Sequence, residues 1–138
     1  MKNLLTIASL ILFSGFSFAQ QTMGHEHSET ICAKEEPQLC LHVGFHSELN
    51  TEDSAEFMVH FTSPATMIND IGQLNVDLWM EMGGGHGHGA PPVTISKKAP
   101  GYYKIKDAYF MMSGTWIIQV KFDYKGQLLQ INVPVAVQ

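Results

Sequence analysis

The residues with the most unusual chemistry lie between Leu74 and Pro92, in the run LNVDLWMEMGGGHGHGAPP. Met80 and Met82 stand two apart with Glu81 between them, three glycines follow, and His86 and His88 are again two apart. Thioether sulfur is a soft donor and imidazole a borderline one, and this combination suits Cu(I). Cu(I) makes little directional demand on its ligands, so methionines at a strand end and histidines on a glycine hinge can converge without a rigid cage. The expected cofactor is therefore copper, as Cu(I), with Cu(II) as a second state held at the histidines. Zinc at His86 and His88 with Glu81 is the alternative, but it leaves the thioethers unexplained. An electron-transfer copper site would need a cysteine thiolate clustered with two histidines, and Cys32 and Cys40 lie far upstream. Storage or shuttling of the ion fits the donor set better than redox work.

Two further groups of donors precede this run. Met23-Gly24-His25-Glu26-His27 is a short echo of Met82 to His88, placed to capture an ion or hand one on. Cys32 and Cys40 are the only cysteines. In an oxidising compartment they pair, closing a loop that removes about 2.5 kcal/mol of chain entropy. Alternatively they are free thiolates serving Cu(I) beside His42, because Cys40 and His42 share one face of an extended strand. His42, His46 and His60 fall on outward faces by alternation and read as ordinary exposed histidines; Met58, Met67 and Met111 read as packing or loop residues.

The elements that must position these donors are strands. From Leu39 onward, Leu41, Val43 and Phe45 point one way, and Phe57, Val59 and Phe61 repeat the pattern. Leu74, Val76 and Leu78 form a third strand whose parity carries Met80 and Met82 to the inner side at its end. Ala90-Pro91-Pro92 stiffens the exit from the histidine run, and Pro100-Gly101 suits a type II turn between two short strands. Trp116, Ile118, Val120 and Phe122 form a strong strand, Lys125-Gly126 turns the chain, and Leu129, Ile131, Val133 and Val135 alternate to the end. About seven strands with regular turn signals, and no helical period, predict an all-β fold: an immunoglobulin-like antiparallel β-sandwich, with a closed barrel as the alternative. The methionine and histidine residues would then occupy a loop at one end of the sandwich.

The N-terminus reads as a secretory signal over residues 1–19: Lys2, an apolar run from Leu4 to Phe18, and the small-x-small triplet Ser17-Phe18-Ala19. The mature chain would begin at Gln20, with a flexible polar arm over residues 20–38 and one domain over 39–138. The protein is thus expected in the periplasm or secreted, with no membrane span once the signal is removed. Eight basic against thirteen acidic residues give a formal net charge of −5, which argues against nucleic acid as a partner. The sequence shows no nucleophile elbow, no paired carboxylates at recognisable spacing and no phosphate loop, so no enzyme is expected.

The order Leu78-Trp79-Met80-Glu81-Met82, His86-Gly87-His88-Gly89, Pro91-Pro92-Val93, Gly101-Tyr102-Tyr103 and Phe110-Met111-Met112-Ser113-Gly114-Thr115-Trp116 resembles the YtkA-like domain and its FixH relatives. The resemblance runs from about Leu39 to the end, and its specific part spans Leu78 to Trp116. It implies a small exported β-sandwich linked to copper handling or to assembly of a copper oxidase, with an envelope protein of that kind as the partner. It also adds Met112 to Met80, Met82, His86 and His88 as an expected metal ligand. The chain departs from FixH in lacking a retained transmembrane helix. An immunoglobulin-like module that docks on an envelope partner without metal is the second functional expectation.

Overall fold

The period-two alternation of apolar residues is carried out in nine β-strands, seen in a computed structural model that describes residues 28–64, 68 and 71–138. The strands are β1 Ser28–Cys32, β2 Cys40–Phe45, β3 Ala55–Thr62, β4 Ile71–Met82, β5 His86–Gly89, β6 Thr94–Ala99, β7 Tyr102–Ala108, β8 Gly114–Tyr124 and β9 Gln127–Val137. They form two antiparallel sheets with strand orders β1-β2-β3-β7-β6 and β5-β4-β8-β9. Setting β1 aside, this is the ABED and C′CFG strand order of an immunoglobulin-like sandwich, and the two separate sheets exclude the closed barrel. No helix among the described residues is long and apolar enough to cross a membrane.

The core is the set that alternation selects. Leu41, Val43, Phe57, Val59 and Phe61 from one sheet meet Val76, Leu78, Ile118, Val120, Phe122, Ile131 and Val133 from the other, all essentially solvent-free. Phe61 meets Phe122 edge-on across the two sheets at 4.7 Å between ring centroids, a favoured aromatic geometry. Trp116 is fully buried and is met edge-on by Phe110 at 5.4 Å. Leu74 is only half-buried because a bulge between Gly72 and Asn75, with Gln73 at φ 39°, breaks the alternation there.

Local turn chemistry agrees with the sequence. Asn50 accepts hydrogen bonds from the amides of Glu52 and Asp53 through its Oδ1. Pro100 leads into Gly101 at φ 68°, as a type II turn requires. Lys125 and Gly126, both at positive φ, form the two-residue turn between β8 and β9.

The two strands beyond the expected seven are short edge strands, and both revise the sequence reading. β1 lies inside the segment read as a polar arm, pairing with β2 from Ser28↔Gly44 to Cys32↔Cys40. Its sequence, SETIC, offers a single apolar residue, Ile31, too little to show alternation. β5 lies where a flexible loop was expected. The signal segment 1–19, the arm as far as residue 27 with Met23, His25 and His27, and Met67 all fall outside the described residues.

Candidate metal centre

Strand β4 runs on past its pairing with β8 and folds back on β5 as a hairpin at one end of the sandwich. The register is Trp79↔Gly89, Met80↔His88, Glu81↔Gly87 and Met82↔His86. Directly opposed residues of an antiparallel pair share a face with Cβ atoms about 5 Å apart. The register therefore sets Met80 opposite His88 and Met82 opposite His86, and all four residues lie on one face of one hairpin. Gly84 at φ 83° and Gly85 at φ 80° make the tight turn between Met82 and His86, a conformation that other residues rarely adopt. The glycines after Met82 are thus the hairpin's turn, which brings the two donor types face to face.

The opposite face of the hairpin explains the remaining glycines. Trp79 lies across Gly87 so closely that a Cβ there would sit 2.2 Å from the indole Cζ2. The alternation His-Gly-His-Gly places the imidazoles on one face and leaves the other free for the indole. Glu81 shares the face of Trp79 and points away from the histidines, so it cannot complete a zinc site with His86 and His88 as the hairpin stands. Among the described residues no three His, Cys, Asp or Glu side chains converge. The donors that share the hairpin face are two histidines and two methionines.

The two pairs differ in depth. Met80 is half-buried and packs against the core, whereas Met82 is 40% exposed and both histidines are exposed. The Cε methyl of Met80 lies 2.7 Å from where a Cβ on Gly114 would stand, so this thioether is laid against the start of β8. Gly114, at φ 130°, is two residues beyond Met112. Met112 is half-buried, and its carbonyl accepts a hydrogen bond from the Trp116 indole nitrogen at 2.9 Å, which fixes this turn beside the hairpin. Four of the five expected ligands are thus paired in register across the hairpin. The fifth, Met112, reaches the same end and contributes its main chain.

The cysteines are not part of this cluster. Cys32 and Cys40 face each other across β1 and β2 and form a disulfide, which overturns the reading of them as thiolate ligands. His42 is half-buried rather than simply exposed: Nδ1 is 2.7 Å from the Thr30 hydroxyl and Nε2 is 3.0 Å from that of Thr62, so it ties β1 to β3 through β2. His60 lies beside it and meets Tyr102 edge-on, and His46 is exposed. Spacing alone does not show that Gly87 makes room for Trp79 or Gly114 for Met80; the signal for the first is glycine at alternate positions, the period of a strand.

The fold and this hairpin define a class of protein, a small all-β sandwich carrying a methionine and histidine hairpin at one end. A family model described as YtkA-like matches residues 46–121, and the chain belongs to that family. The match includes the hairpin and ends within β8. No curated protein matches the chain. Among solved structures the chain is similar to a ZirS C-terminal domain, at 13% identity and a TM-score of 0.42, over 100% of this chain and 87% of that one.

Proposed function

We propose that this protein binds Cu(I) outside the cytoplasm and buffers or carries it, with Met80, Met82, His86 and His88 as ligands and Met112 beside them. One observation carries the reading: the register that sets each thioether opposite an imidazole on a single hairpin face. Soft and borderline donors at that spacing suit Cu(I), and their exposure at the outer pair suits an ion that is exchanged rather than locked in. Cu(II) would engage the histidines alone. The family match is consistent with this reading but names no metal.

The compartment is proposed from two features. The first nineteen residues have the pattern of a secretory signal, and the Cys32–Cys40 disulfide belongs to an oxidising environment. A carrier of this kind would serve an envelope copper-handling or oxidase-assembly protein, and it requires no catalysis of its own. Competition with a Cu(I) chelator tests the reading. Met80→Leu with Met82→Leu should keep the fold, since leucine matches methionine in volume, and should weaken Cu(I) retention at least tenfold while Cu(II) binding changes little. Equal Cu(I) retention by the parent and the double variant would remove the thioethers from the site.

A further inference from the structure

The strand directions collect an uneven set of side chains at the hairpin end. Among the described residues five large apolar side chains are exposed, and four of them, Trp79, Met82, Tyr109 and Met111, lie on the hairpin or on the β7–β8 connection at that same end. The fifth, Leu128, is at the other. Charge is sorted the same way. Glu48, Glu52 and Asp53 in the β2–β3 connection, Glu81 on the hairpin and Asp107 at the end of β7 all lie at this end. The nearest lysines, Lys104 and Lys106, are both ion-paired with Glu56, whose carboxyl is held below its ordinary range chiefly by the Lys104 hydrogen bond. Among the described residues, Lys34, Lys97, Lys98 and Lys125 lie at the far end, together with Glu35, Glu36 and Asp123.

We propose that the hairpin end is a docking face for a copper-exchanging protein whose own metal site is surrounded by lysine and arginine. This deepens the copper reading and rests on it. The exposed pair Met82 and His86 is the part of the site that a partner's ligand can reach, so transfer proceeds by ligand exchange across a contact. Met82, with Tyr109 and Met111 on the β7–β8 connection, gives the contact its apolar surface, Trp79 extends it on the other face of the hairpin, and the acidic residues at this end select and steer a basic partner. An acidic or neutral partner gains no such steering.

The test uses the full mature chain and two synthetic peptides of one methionine-rich sequence, flanked by lysines or by glutamates. Loaded with Cu(I), the lysine-flanked peptide should deliver copper at least tenfold faster at low salt. That advantage should vanish in a non-coordinating salt at 1 M, where the screening length falls to about 3 Å. Replacing Glu48, Glu52 and Asp53 with lysine, away from all four ligands, should remove it as well. Without metal, the lysine-flanked peptide should shift the amide resonances of Glu81, Tyr109 and Met111. Equal transfer rates for the two peptides, or shifts centred on the far end, would overturn the proposal. The metal-free mapping reads the docking face even if chelator competition shows no Cu(I) retention, so the two failures are told apart.

Discussion

An alanine at position 87 would drive its methyl into the Trp79 indole, and the indole cannot retreat into a core that lies on the other side of the sheet. Gly87→Ala is therefore expected to lower stability by about 1–3 kcal/mol, read by urea unfolding, and to shift Trp79 fluorescence to the red. In a Trp79→Ala background the same change should cost much less, because the two sites are in contact and their effects do not add. Gly83→Ala is the control, since nothing lies within 4 Å of a Cβ there and its φ is not positive. An equal cost for position 87 with and without the indole would mean that the glycine serves the backbone rather than the ring. The glycines of this run were legible as unusual but not as to purpose. A side chain that is absent says nothing about which neighbour needs the room.

At the level of elements, the edge strand β1 is held by its pairing with β2, by His42 between Thr30 and Thr62, and by the Cys32–Cys40 bridge. Replacing both cysteines with serine should cost about 2–3 kcal/mol and should remove amide-exchange protection from β1 while sparing β4 and β5. Cu(I) affinity should be unchanged in that variant. A loss of affinity would return the cysteines to the metal site, and uniform loss of protection would mean that β1 is not a separate unit. The hairpin, by contrast, depends on its turn and on its donor face, and β4 was legible as a strand up to Met82. β5 was not, because four residues of alternating His and Gly carry no apolar signal of burial.

Across the whole molecule, Tyr103 spans the sandwich. It sits in the core on β7, and its hydroxyl donates to the carbonyl of Ile71 on the opposite sheet at 3.4 Å, a long bond. Burial pushes its phenol above the ordinary value of 10.0. A raised folded-state value means that the native state keeps its proton after the unfolded chain has lost it. Stability from this residue is thus complete below pH 10.0 and is lost as the pH climbs through the folded value. Thermal melts of the wild type should fall more steeply than those of Tyr103→Phe above that pH. Parallel profiles for the two proteins would show that the phenol does not couple alkaline ionisation to unfolding. The same whole-molecule view sorts acidic residues to the hairpin end, a distribution that net charge alone does not reveal.

Composition and alternation determined, without any coordinates, that this chain is all-β, that Leu41, Val59, Val76, Ile118 and Val133 face a common interior, and that two methionines and two histidines are gathered between residues 80 and 88. A period of two states which side of a strand a residue takes, because that is a local property of the extended backbone. It does not state which strand lies alongside. Pairing of Met80 with His88, the laying of Met80 against Gly114, and the arrival of Met112 and the acidic loops at one end arise from long-range register. Register is set by the burial of the whole core and by turn geometry, so only the assembled sandwich decides it.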